Sequence, residues 1–388
     1  MKKLVMIIIM LFSLTGCYNY RELNDLGIVS GISIAKVDEG YELTVEVFNT
    51  RKETDASTGN ETAFVIYKNT SDSLQEGFRR LINEAPKKMY GAQIELLILD
   101  ESLAREDLKN IVDFLSRDPE IRSEFYVIVG KSDDILEITT PLVKISSKNI
   151  VQSLMANNKY LGSTNLVTFH DLIDNYLNDK IDLALPSIRV IGNTDSGEEV
   201  DNLEVSTNEA FSLIDNMAVF KDNKLVGYLN EEESKVYNLV MGNLKTTVVK
   251  TDFEDDEYVI NEMVGIKCGV EVNPKKNKVS ITVEGKAAIS EANYSGDLEN
   301  NETILKIQKE LNKYTEEIVE KSIKDTIDKY NSDIYGFEDI FYKKDVDYYK
   351  DKVKDNWDEI LNNLDIKVKS KIEIFEKGNL NGGLYYGE

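Results

Sequence analysis

The spacing of hydrophobic residues changes several times along this chain, and each change predicts a different element. "LGIVSGISIAKV" (Leu26–Val37) and "YELTVEVFNT" (Tyr41–Thr50) have strand composition and flank the turn signal Asp38-Glu39-Gly40, which predicts a hairpin. "TAFVIYKN" predicts a third strand after the polar loop "RKETDASTGNE". In "SLQEGFRRLINEAP", Leu74, Phe78, Leu81 and Ile82 fall on one helical face and Pro86 ends the run. "AQIELLILD" (Ala92–Asp100) is a short apolar run that predicts a buried strand. "SLAREDLKNIVDFLSRDP" places Leu108, Ile111, Val112 and Leu115 at helix spacing, and "FYVIVGK" (Phe125–Lys131) returns as a strand. This β-α-β-α-β succession predicts an α/β N-terminal region, taken as residues 17–145.

Two further helices are predicted in "SDDILEI" and "KNIVQSLMANNK" (Lys148–Lys159), a third in "TFHDLIDNYLN" (Thr168–Asn178), and a strand in "DLALPSIRVI". "GNTDSGEEVDN" (Gly192–Asn202) is the clearest polar, acidic linker, so residues 146–200 read as a small middle domain ending in that linker. From residue 201 to 388 the pattern becomes α+β. Two strands surround Asp222-Asn223, a hairpin signal, and "EEESKVYNLVMGN" is a helix with acidic residues in its first turn. Strands follow around "KTTVVKT", "EMVGIKCGVEV" and "KVSITVEGKAAIS". Glu302–Tyr330 is a long amphipathic helix with Ile304, Ile307, Leu311, Tyr314 and Ile318 along one side, continuing as Val319, Ile323 and Ile327. This stripe drifts off a strict heptad, which favours a helix lying on a sheet over a coiled coil. "DIKVKSKIEIFE" is the last strand. The fold class expected is α+β and multi-domain: an α/β N-terminal region, then an antiparallel sheet with a long packed helix.

The first sixteen residues carry a different signal. Lys2 and Lys3 precede an apolar run, Leu4–Leu14, broken only by Ser13. A membrane span needs roughly 20 apolar residues, so this run has the size of a signal-peptide core instead. "LTGC" then resembles a bacterial lipobox, which makes Cys17 the first mature residue and the site of lipid attachment. The formal net charge of −24 becomes −26 once the two signal lysines are removed. So acidic a body repels nucleic-acid backbones and offers no polybasic patch to membranes. One acyl chain holds a protein only marginally, so a diacylglyceryl anchor would carry the attachment.

Catalytic signals are sparse. Only two cysteines occur, Cys17 and Cys268, and only one histidine, His170. No GxSxG, P-loop or strand-linked GxGxxG is present, and no spacing of metal ligands or cofactor motif stands out. His170 reads as a structural residue near a helix start and Cys268 as a buried thiol. "DFEDDE" (Asp252–Glu257) lacks the spaced ligands of a calcium loop and reads as a solvated hairpin tip.

Several ordered blocks resemble the Ger(x)C family, the lipoprotein C subunits of spore germinant receptors. They include "CYNYRELNDLGIVSGISI", "YGAQIELLILDESLAREDLKNIVDFLSRDPEIRSEFYVIVGKSDDIL", "MAVFKDNKLVGYLNEEESKVYNLV", "VEGKAAISE", "NSDIYGFEDIF" and "NWDEILNNLDIKVKSKIEIFEKG". Family members usually carry Trp and then an acidic residue or Asn after the lipid cysteine, where this chain has Tyr18 and Asn19. The resemblance implies a non-enzymatic lipoprotein on the outer face of the spore inner membrane. It implies partnership with a partly membrane-embedded A subunit and a permease-like B subunit, in a complex that senses nutrients. Candidate partner contacts are Arg21, Glu22 and Asp25, close to the anchor, and Arg117, Asp118, Glu120 and Arg122. The alternative is a solute-binding lipoprotein of an ABC importer, which requires two similar doubly wound lobes around a cleft.

Overall fold

The computed structural model describes residues 25–49, 64–85, 87–131, 151, 156, 160–193, 210–253 and 256–377. Cys17, Arg21 and Glu22 lie outside them, as do most of the two helices predicted between residues 132 and 159 and most of the acidic linker.

The chain folds as α+β around two sheets of different build. Among the described residues the first has nine strands. Along its main path the order is β3 (Phe64–Ser71), β2 (Gly40–Phe48), β1 (Leu26–Val37), β5 (Leu96–Asp100), β6 (Tyr126–Gly130), β7 (Ala184–Gly192), β8 (Ala210–Lys221) and β9 (Lys224–Tyr228). The short β4 (Lys88–Tyr90) pairs in parallel with the start of β1. β1, β5, β6 and β7 are mutually parallel, and antiparallel hairpins flank them on both sides. Central parallel strands are covered on both faces, which explains the nearly unbroken apolar runs. β5 shows this residue by residue. Leu97 and Leu99 face a core shared with the helices, and Leu96 and Ile98 face a second cluster with Ile128, Ile188 and Ile214.

Turn chemistry sets the two hairpins. Gly40 has φ +123°, and a Cβ there would lie 2.4 Å from the Ser71 carbonyl oxygen, so only glycine fits. Asp222 and Asn223 both take positive φ, 49° and 63°, the geometry that turns β8 tightly into β9. The first sheet takes strands from both sides of residue 200: β8 pairs with β7, and β9 with β8.

Among the described residues, four helices cover one face of this sheet: α1 (Leu74–Arg80), α2 (Glu101–Ala104), α3 (Lys109–Arg117) and α4 (Phe169–Leu177). The single helix predicted over residues 102–119 is two. Asp100 caps the first with its side chain, accepting the Ser102 N–H at 2.8 Å, and Asp107 accepts the Lys109 N–H at 2.8 Å as the second begins. Short acidic side chains that bind nearby backbone interrupt a helix in this way. α4 begins with a capping box between Thr168 and Asp171. His170 is solvent-exposed on this helix, with its Nε2 3.6 Å from the Asp174 carboxylate one turn on.

The second sheet is β10 (Thr246–Asp252), β11 (Tyr258–Asn273), β12 (Lys278–Asn293) and β13 (Asp365–Glu376). Its first three strands are antiparallel, and β13 joins in parallel with β12. α5 (Glu231–Val240) and the 30-residue α6 (Asn301–Tyr330) pack against it. Ile307, Leu311, Val319, Ile323 and Ile327 form the buried stripe of α6, whereas Tyr314 and Ile318 sit at its margin. Cys268, expected to be buried, is half-buried at the edge of this core, and desolvation pushes its thiol up to about 11.

The strap after α6 ties the two layers together. The Tyr330 hydroxyl donates to the Tyr228 carbonyl at 2.6 Å, and the Ser332 hydroxyl donates to the Phe220 carbonyl at 2.7 Å. α7 (Phe337–Lys344) follows, with Phe337 and Phe341 fully buried, and then α8 (Trp357–Asn362) leads into β13.

Candidate interaction surface

On the helical face of the first sheet, α1 and α3 stand apart enough to leave a groove of about 870 Å³. Local sequence fixes each wall. Ser73 caps α1, its hydroxyl accepting the Glu76 N–H at 3.2 Å, while Arg79 and Arg80 lie in the last turn, where cations suit the helix dipole. α3 turns Ile111, Val112 and Leu115 into the core and leaves Asp113 and Arg117 outside. The Asn110 amide donates to the Tyr41 hydroxyl at 3.0 Å, joining α3 to β2. Leu74, Phe78, Met89 and Phe114 supply the apolar lining.

The structure brings Arg117, Asp118 and Glu120 together on one wall of this groove. The Arg117 guanidinium meets the Asp113 carboxylate at 2.8 Å, four residues earlier on α3. That hydrogen bond holds the Asp113 carboxyl below its ordinary range and raises Arg117. Both are exposed, so the pair adds little to stability but sets the charge pattern of the wall. Asp118 is extended, as a residue before proline must be. Its carboxylate accepts the Glu120 N–H at 2.9 Å and its carbonyl accepts the Ile121 N–H at 3.2 Å, forming a tight turn. Arg122 is exposed and does not line the groove.

Sequence reasoning missed the opposite wall. Asp72, beside α1, with Gln75 and Arg79 of α1 and Lys88 of β4, also line the groove. Lys88 matters for its neighbour, because it pairs in register with Leu26, the first residue of β1. Asp25 immediately precedes Leu26 and is exposed. The part of the groove that Lys88 lines therefore lies beside the start of β1, a proximity set by the parallel pairing of β4 with β1 and invisible in linear spacing. The charged lining mixes signs, with Arg79, Lys88 and Arg117 against Asp72, Asp113, Asp118 and Glu120. Among the described residues no group of three or more His, Cys, Asp or Glu side chains is placed to hold a metal ion. Among them, too, no helix is long and apolar enough to cross a membrane.

Two family models match the chain in order. Residues 19–190 match the spore germination protein N-terminal domain, and residues 215–378 match the spore germination B3/GerAC-like C-terminal domain. Together they define a class, the spore germination proteins with paired GerAC-type domains. The chain belongs to the Ger(x)C family. It is 27% identical over 396 residues to spore germination protein KC of Bacillus subtilis (strain 168), covering 97% of this chain and 96% of that protein. Spore germination protein B3 of the same organism is 22% identical, with 96% of each chain covered. Spore germination protein GerQC of Bacillus cereus is 22% identical, covering 97% of this chain and 99% of that one. The crystal structure of the GerBC protein shares the fold, with a TM-score of 0.52 at 17% identity, over 89% of this chain and 97% of that one.

Proposed function

We propose that the chain is the lipid-anchored C subunit of a nutrient germinant receptor, acting by contact with membrane subunits A and B and not by catalysis. The observation that carries this reading is the correspondence with spore germination proteins over 96–97% of both chains, from the N-terminal region to the last strand. The sequence "LTGC" supplies Cys17 as the attachment point for a diacylglyceryl group, on the outer face of the spore inner membrane. Asp25 lies eight positions after Cys17, a reach of at most ~28 Å. Such a tether keeps Asp25, Arg21 and Glu22 near the bilayer, and with them the part of the groove that Lys88 lines. A mixed-charge rim over an apolar floor suits a polypeptide partner, which brings both apolar anchors and polar groups. Arg117, Asp118 and Glu120 are the wall we assign to that partner, with Arg122 just outside it.

The importer reading finds no support in the architecture, since one nine-stranded mixed sheet and one four-stranded sheet are not two similar lobes. Deleting the gene tests the proposal. Spores are expected to lose the response to one group of nutrients and recover it on complementation. Unchanged responses to every nutrient tested would count against it.

A further inference from the structure

The two edges of the second sheet are finished differently. Along β13, side chains of α6 take up the N–H groups of Ser370, Ile372 and Ile374. β10, the other edge, pairs only with β11. The Phe253 N–H donates to the Glu257 carbonyl at 2.8 Å and closes the β10–β11 hairpin. From there the register runs unshifted to Thr246 opposite Val264. Antiparallel pairs alternate between those that exchange backbone hydrogen bonds and those that do not. Thr247, Val249 and Thr251 therefore bond to β11, and Val248 and Lys250 turn their N–H and carbonyl groups outward. Among the described residues nothing pairs with those outward groups, and the Val248 side chain is 47% exposed. An open run of donors and acceptors is a template for another strand.

Beside this edge, β10 and the helices α5 and α6 border a groove of about 280 Å³. Thr247 and Val249 form its strand side, and Val236, Leu239, Met263 and Ile318 give it an apolar lining. A strand laid along β10 would project alternate side chains over this groove. The charges at its rim are unevenly matched. Lys235 pairs with Glu231 at 2.6 Å and Lys250 with Asp252 at 2.7 Å. Glu232 accepts the Tyr314 hydroxyl at 3.0 Å and forms no ion pair among the described residues.

We propose that the β10 edge receives an extended segment of another protein as a fifth strand of this sheet. One apolar side chain of that segment fills the groove, and a lysine or arginine two residues away meets Glu232. Only an extended backbone matches alternating donors and acceptors, and alternate side chains then supply specificity. A second copy pairing through its own β10 would bring Thr247, Val249 and Thr251 to this face, and no cation with them. The site is built on the second sheet, whereas the groove between α1 and α3 belongs to the first, and it does not rest on the receptor reading.

Amide exchange, followed by NMR on the detergent-solubilised full-length chain, reads the added strand. The probe is a blocked peptide in which threonine alternates with one lysine, one leucine and one valine, so that those three share a face. At saturating peptide, exchange at the Val248 and Lys250 amides should slow at least ~tenfold, with Val249, already bonded to β11, unchanged. Lys250→Pro removes an outward donor and spares the β11 pairs, so it should lose binding yet keep its unfolding midpoint. The peptide gives a test that needs no variant: N-methylation of every second residue should abolish binding in one phase and spare it in the other. Glu232→Gln should weaken the lysine peptide about two- to fivefold and leave a threonine-for-lysine peptide unchanged. Exchange unaltered at both amides in millimolar peptide overturns the proposal. So does binding by a folded Lys250→Pro variant, equal tolerance of both methylation phases, or a Glu232→Gln variant that treats the two peptides alike. Slowed exchange that comes with protein concentration alone also overturns it, in favour of a second copy.

Discussion

Asn312 of α6 occupies both backbone groups of Ile372 on the edge strand β13: its Oδ1 accepts the Ile372 N–H at 2.8 Å, and its Nδ2 donates to the Ile372 carbonyl at 2.9 Å. The contact is one rung of a ladder. Four residues to either side on the helix, Gln308 accepts the Ile374 N–H at 3.0 Å and Glu316 accepts the Ser370 N–H at 2.9 Å. Helical spacing of four thus matches strand spacing of two, and a sheet edge that would otherwise present open donors is closed by the chain's own helix.

Replacing Asn312 with Ala leaves two edge groups without partners, and each lost hydrogen bond costs ~0.5–1.5 kcal/mol. Urea unfolding should show a loss of about 1–2 kcal/mol. Asn312→Gln, whose longer chain disturbs the register, should recover only part of it. A change below about 0.3 kcal/mol for the Ala variant would mean the ladder is incidental.

Two glycines separate backbone strain from crowding. Gly40 and Gly242 both have positive φ, but a Cβ at Gly40 strikes the Ser71 carbonyl, whereas one at Gly242 meets nothing within 4 Å. Gly242→Ala should cost about 1 kcal/mol for conformation alone. Gly40→Ala should cost at least twice that, because the β1–β2 turn must shift. Equal midpoints for the two variants would contradict this account.

Much of the fold was legible in the sequence, because alternation and helical spacing survive wherever one face is buried. The pattern located β1 and β13 to the residue, and α6 to within one. The chain broke the pattern where local side chains compete with it, as Asp100 and Asp107 do in splitting one predicted helix into two. Less of the candidate surface was legible. Arg117, Asp118 and Glu120 stand out as a charged block around a proline, but the rest of the lining comes from residues 72–79, which follow antiparallel β3, and from Lys88 on β4, which pairs in parallel with β1. The ladder was hidden as well, since nothing in the sequence sets Gln308, Asn312 and Glu316 apart from the other polar positions of the helix.

Arg117→Glu tests the surface. The side chain is exposed, so stability should change by no more than about 0.5 kcal/mol. Reversal places a third negative group beside Asp113 and Asp118, and nutrient-triggered germination should slow. A normal rate, with normal amounts of protein in the spore, would remove this wall from the partner contact.

Cys17→Ala tests the tether. Detergent-free fractionation should move the protein from the membrane to the soluble fraction, since the acidic body has no basic patch of its own to hold it there. Full retention on membranes would show that protein contacts suffice.

The most direct test of the receptor reading is to purify the tagged, full-length chain from detergent-solubilised spore membranes and identify what accompanies it. The account predicts a permease-like B subunit and an A subunit in constant ratio to the chain. Recovery of the lipidated chain without either subunit, under conditions that keep other membrane complexes intact, would contradict it.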